Sequence, residues 1–154
     1  MPTNKIVVLY VDDEEHNLLS FKATFRLKYK VFTAISGAEA MKILETNKVE
    51  IIITDQRMPY MTGVEFLENV IEKYPDTMRI LLTGYTDYES LAEAINKGKI
   101  FHYLTKPWKE ELLEETITRA HEQFLKQESM KVQNDQLNTT NEQLEFLLRQ
   151  KLLS

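Results

Sequence analysis

The sequence contains no cysteine. That excludes a disulfide framework, a thiolate zinc site and a cysteine nucleophile. Histidine is scarce as well. His16, His102 and His121 are scattered, which argues against a His-rich metal cage. No apolar run approaches the roughly 20 residues that span a bilayer, so no membrane-crossing helix is expected. The stretch Met1–Val11 lacks a small-residue cleavage site and is too short for a secretory signal. The expected compartment is the cytoplasm. Positive charge is in deficit: the formal net charge is −5. That argues against direct binding of nucleic acid, which is driven largely by cations on phosphates. What remains is ordinary globular usage, with 154 residues, 43% hydrophobic and 28% charged. This suits one domain, with room for an appendage.

Glycine and proline are few, four of each, and all of them precede Lys109. Lys109 to Ser154 has no breaker and is rich in Glu, Gln, Leu and Lys, which reads as one long helix. The segment before Trp108 alternates instead. Lys5–Val11, Glu50–Thr54, Met78–Leu82 and Ile100–Leu104 are apolar runs, and Lys30–Ala34 is a weaker one. Runs that are apolar throughout suit strands buried on both faces, as in a parallel sheet. Helix-length segments separate them. Ser36-Gly-Ala-Glu39, Thr62-Gly-Val-Glu65 and Thr86-Asp-Tyr-Glu89 each match a capping box, in which a hydroxyl and a glutamate satisfy orphan amides at a helix start. Asp12 and Asp13 open a further helix, Glu14 to about Leu27. The pattern is (βα)5. It predicts a doubly wound, five-stranded parallel sheet with right-handed crossovers and helices on both faces.

Ligands of such sheets bind outside the carboxyl ends of the strands. There the sequence places Asp12 and Asp13 after strand 1, Asp55 after strand 3, Thr83 and Gly84 after strand 4, and Lys106 and Pro107 after strand 5. Each alone has a plain structural reading: a helix cap, a turn residue or a surface lysine. Together they make a chemical set. Three close carboxylates repel, and each favours its protonated form. A hard divalent cation relieves that repulsion, and Mg²⁺ typically takes one or two carboxylates alongside waters and phosphate oxygens. Lys106 adds a movable positive charge and Thr83 a hydroxyl. A carboxylate flanked by such groups suits phosphoryl transfer, with the Asp itself as nucleophile.

Four segments carry a family resemblance: Val8-Leu-Tyr-Val-Asp-Asp13, Ile53-Thr-Asp-Gln-Arg-Met-Pro-Tyr-Met-Thr-Gly63, Ile80-Leu-Leu-Thr-Gly84 and Tyr103-Leu-Thr-Lys-Pro107. Over residues 4–122 the chain resembles the receiver domain of two-component response regulators. The resemblance implies a flavodoxin-like receiver fold and phosphorylation on Asp55 by a sensor histidine kinase or phosphotransfer protein. It implies Mg²⁺ held by Asp12, Asp13, Asp55 and the main-chain carbonyl of Arg57. It implies that Thr83 and Lys106 contact the phosphoryl oxygens, that Tyr103 is the switch aromatic, and that the Lys106–Pro107 peptide is cis. Thr62 stands where the family often has Asp, and Gly84 where Ala or Ser is commoner. Arg57 and Tyr85, two residues after Asp55 and two after Thr83, flank the path of an attacking water. Both are large and neither is acidic or an amide, so a long-lived phosphoryl state is expected.

The tail is a second unit, residues 123–154. Leu112, Leu113, Thr116, Ile117, Ala120 and Phe124 are spaced to pack on the sheet. Beyond them Met130, Leu137 and Leu144 recur every seven residues, as do Gln127, Asn134, Asn141 and Leu148. That is a coiled-coil pattern with asparagines at inner positions, which favours a two-stranded parallel homodimer. The competing reading is a solvated signalling linker. Three other functions fit less well. A haloacid-dehalogenase-type phosphohydrolase wants a second Asp where Arg57 stands. A flavin mononucleotide binder wants a phosphate loop where Asp12 and Asp13 would repel phosphate. A DNA-binding regulator would need a basic helix-turn-helix module. The receiver therefore acts either on an attached output domain or as an adaptor without one.

Overall fold

A computed structural model describes residues 5–84, 92 and 100–153. Five strands form one sheet: β1 (Val7–Val11), β2 (Lys30–Ala34), β3 (Ile51–Asp55), β4 (Met78–Thr83) and β5 (His102–Thr105). All neighbours are parallel and the order is β2-β1-β3-β4-β5. The four described helices are α1 (Glu15–Phe25), α2 (Gly37–Thr46), α3 (Gly63–Lys73) and α4 (Glu110–Leu153). The strand bounds follow the apolar runs to within two residues. β3 lies in the middle of the sheet and is buried along its whole length, while β2 lies at an edge and is only partly covered. That is why the second apolar run is the weakest.

The two sheet faces are separate cores. One holds Val8, Tyr10, Phe21, Phe25, Ile53 and Ile117 between the sheet, α1 and α4. The other holds Leu9, Val11, Leu44, Ile52, Phe66 and Leu81 between the sheet, α2 and α3. Successive residues of β1 alternate between them, as the period of two requires.

The helix starts differ in detail from the sequence pattern. Thr62 and Glu65 form the full reciprocal box. Ser36 accepts from the Glu39 amide, but the Glu39 carboxylate reaches the Ile35 amide instead of Ser36. The box predicted at Thr86 lies outside the described residues. α1 begins one residue later than expected. Glu14 stands at its cap position without a side-chain cap, and its own amide donates to Asp12 Oδ1 at 3.0 Å. On α4, Leu113, Thr116, Ile117, Ala120 and Phe124 are buried as the spacing predicts. Leu112 is not: it is 46% exposed, turned off the packed stripe. No described helix is long and apolar enough to cross a membrane.

Candidate functional site

The parallel register brings the strand ends to one edge. Val11 pairs with Thr54, Asp55 with Leu82, and Thr83 with Thr105. Asp12 and Asp13 follow β1, Asp55 closes β3, Thr83 closes β4 and Lys106 follows β5. One carboxylate oxygen from each of Asp12, Asp13 and Asp55 lies within 4.8 Å of the others. Lys106 Nζ sits 2.8 Å from Asp55 Oδ2 and 3.4 Å from Asp12 Oδ2. The Lys106 amide donates to the Thr83 carbonyl at 2.8 Å, which ties the two strand ends together. The Lys106–Pro107 peptide is cis.

Burial makes this set electrostatically tense. Asp12 is fully buried, and Asp55 and Thr83 are nearly so. Burial raises the Asp55 pKa above its ordinary value. Lys106 acts against that rise, and the charges of Asp12 and Asp13 add to it. Lys106 loses some cationic preference to burial, but its bond to Asp55 and the charges of Asp55 and Asp12 outweigh this and raise its pKa. The ammonium is therefore firmly charged, and the Asp55 and Asp12 carboxylates share it. A surplus of buried negative charge with oxygen donors only is a fit for a hard divalent cation.

The loop after β3 is built around Asp55. The amide of Gly63 donates to the Gln56 carbonyl, and the amide of Val64 donates to Gln56 Oε1 at 2.9 Å. A Cβ on Gly63 would collide with the Asp55 carbonyl oxygen, so only glycine lets α3 start this close. Tyr60, at the exposed tip of the loop, takes a positive φ of 71°. Arg57 is exposed at the rim. Tyr85 lies outside the described residues. Tyr103 pairs with Leu81, so it shares a sheet face with Thr83 two residues on. It is 39% exposed, with its ring stacked against His102.

Two contributors were not singled out in the sequence. Tyr10 OH and Asn17 Nδ2 each donate to Asp12 Oδ2 at 3.1 Å. The Tyr10 phenol is pushed far above its ordinary range by burial first and the Asp12 charge second, so it acts as a donor. The signal for Tyr10 was its position two residues before Asp12, on the same strand face. A wider cleft of about 720 Å³ lies at the opposite edge, lined by Lys5, Lys22, Arg26, Lys30 and Lys48. Its single acid, Glu50, is already engaged by the Val7 amide and by His121, so the chemistry is not there.

Comparison with known proteins agrees with this geometry. Residues 8–118 match the family model for the response regulator receiver domain. The chain belongs to that family and is a receiver domain of the kind found in response regulators. It is 36% identical, over its whole length, to the hydrogenase transcriptional regulatory protein HoxA of Cupriavidus necator, covering 32% of that protein. It is 34% identical over 118 residues to the transcriptional regulatory protein GlrR of Escherichia coli, which is 75% of this chain and 26% of GlrR. The chain thus spans a third or less of the length of these relatives. Among solved structures, the signal receiver domain of an HD domain-containing protein from Pseudomonas fluorescens superposes with a TM-score of 0.75 at 32% identity, covering 79% of this chain and 98% of that one.

Proposed function

We propose that this receiver takes a phosphoryl group on Asp55 from a sensor histidine kinase or phosphotransfer protein. The carrying observation is the pairing of Asp55 with Lys106 at 2.8 Å inside a three-carboxylate cluster. An Asp55 oxygen attacks the donor phosphorus. The new O–P bond forms as the P–N bond of the phosphohistidine breaks, and the released imidazole takes a proton from solvent. The Asp12, Asp13 and Asp55 carboxylates and the Arg57 carbonyl would hold Mg²⁺, which would supply charge neutralisation. Lys106 and the Thr83 hydroxyl then bond the phosphoryl oxygens. Tyr103 shares the face of Thr83, which supports its role as the switch aromatic that follows Thr83 inward. The chain makes and loses this acyl phosphate without turning over an external substrate.

Residues 4–122 form the receiver, with Phe124 as the last core contact of α4, and residues 123–154 form the extension. The extension pairs two copies, and its state is what the rest of a longer regulator or a partner reads. Likeness to transcriptional regulatory proteins points to control of transcription as the output. The net charge of −5 argues against DNA contact by this chain itself. The kinase that serves the domain places it in the cytoplasm. Intact-mass measurement after incubation with acetyl phosphate and Mg²⁺ tests the acceptor. Wild type should gain one phosphate, and Asp55→Asn none. A stable adduct on Asp55→Asn, or labelling unaffected by EDTA, would overturn the reading.

A further inference from the structure

Asp12 is the most heavily bonded group of the site. Its Oδ1 accepts the Glu14 amide at 3.0 Å. Its Oδ2 accepts Tyr10 OH and Asn17 Nδ2, each at 3.1 Å, and Lys106 Nζ at 3.4 Å. Oδ1 keeps an acceptor site for a cation, whereas the crowded Oδ2 can serve one only if donors withdraw. Two of them are able to. Asn17 and Lys106 are part-exposed and line a cleft of about 480 Å³ beside the site. Tyr10 is not able to. It is fully buried, and its ring stacks on Phe21 with centroids 4.3 Å apart and planes 4° from parallel. Its hydroxyl is therefore the side-chain donor about which the Asp12 carboxylate turns.

Tyr10 also faces away from the site. Tyr10 and Trp108 line the same cleft, and both rings pack on Phe21. Trp108 packs edge-on to Phe21 at 6.0 Å and against Phe25 at 5.7 Å. It stands two residues after Lys106 and two before Glu110, where α4 begins. One buried side chain thus lies between the acidic cluster and the root of the long helix.

We infer that Tyr10 is a positioning residue, which fixes the Asp12 carboxylate for a divalent cation and transmits occupancy of the site to Trp108. The inference rests on the reading of Asp12 as part of a cation site. Donors behind a metal-binding carboxylate set its orientation, and their loss typically weakens metal binding ten- to a hundredfold. A purely structural tyrosine would affect stability and leave metal affinity alone.

The test uses the full chain and Mg²⁺ alone. Trp108 is the single tryptophan, so indole emission reports on it without ambiguity. Mg²⁺ titration of the wild type, followed by calorimetry and by emission, should give one saturable transition with the same midpoint in both. Tyr10→Phe keeps the stacked ring and removes only the hydroxyl. Its affinity should fall about tenfold, and its emission response should be lost even at saturation. Asp13→Asn should bind weakly or not at all while keeping the wild-type resting emission. Heat without any emission change in the wild type overturns the inference and needs no variant, should Tyr10→Phe fail to fold. Unchanged affinity in a folded Tyr10→Phe overturns it too, while leaving the cation site standing. Absence of heat in the wild type overturns both.

Discussion

Asp55 is held where its charge is unwelcome. Burial and two neighbouring carboxylates raise its pKa in the fold above the ordinary 3.8. The folded protein therefore binds the Asp55 proton more tightly than the unfolded chain does. By linkage, stability falls as pH rises from 3.8 through the folded value, and the loss is complete above it. Asp55→Asn removes that cost. It should raise the melting temperature at neutral pH, with a gain of about 1 kcal/mol corresponding to about 3 °C at this size. The gain should vanish below pH 3.8 and shrink when Mg²⁺ is added to the wild type. Thermal unfolding across that range decides it: a variant no more stable than wild type at pH 7 would refute the account. The family resemblance implies that Arg57 and Tyr85 bear on the lifetime of the acyl phosphate. Large residues at these two positions, neither able to orient a water, should give decay over many minutes. Replacing Arg57 by Asn and Tyr85 by Glu should speed phosphate release about tenfold, which takes only ~1.4 kcal/mol of barrier. Release within seconds from the wild type, or no acceleration in the double variant, would count against it. At this scale the sequence was most informative where a residue ends a strand. Asp12, Asp13, Asp55, Thr83 and Lys106 were legible because topology alone gathers strand ends. Tyr10 and Asn17 were not, because a donor's partner depends on distances that no spacing rule supplies.

The strands could be read because a parallel sheet covered on both faces demands unbroken apolar runs, and β1, β3 and β4 have them. β2 was weaker for a physical reason: it is an edge strand, and Lys30 begins it in solvent. The described helix starts were legible to within a residue, including α1, where Asp12 takes the Glu14 amide. Gly63 shows an element fixed by close approach more than by pattern. A methyl there meets the Asp55 carbonyl oxygen and, at 3.0 Å, Leu81 Cδ1. Neither can yield easily, since one is backbone of the central strand and the other is core. Gly63→Ala should therefore cost about 1–3 kcal/mol and reduce phosphorylation of Asp55 by shifting it. Urea unfolding with parallel mass measurement checks both effects. Wild-type stability in the variant would show that α3 slides freely, against the geometry.

α4 has 44 residues, about 66 Å of helix at 1.5 Å per residue, and its last buried residue is Phe124. Past that point every large apolar side chain is in water within a single copy: Met130 is 58% exposed, Leu137 60% and Leu144 53%. An isolated helix of such composition is marginal, since helices draw most of their stability from a packed face. The body contributes one further tie, Lys131 to Asp76 at 3.1 Å, and both groups are exposed. A pair of that kind is worth little. The proposed dimer would supply the missing packed face. In it Met130, Leu137, Leu144 and Leu148 would form the apolar part of the seam, and Asn134 and Asn141 would pair across it, fixing register at some cost in stability. The full chain should therefore be a dimer by light scattering. A chain stopped after Leu125, which keeps Phe124 in the core, should be a folded monomer. The helical signal at 222 nm should fall on dilution of the full chain and stay constant for the short one. Asn134→Leu with Asn141→Leu should raise the melting temperature of the assembly and broaden its stoichiometry beyond two, because leucine no longer penalises other registers. A full chain that stays monomeric at high concentration, both with Asp55 phosphorylated and without, would leave the extension an unpaired linker and remove the dimer from the mechanism.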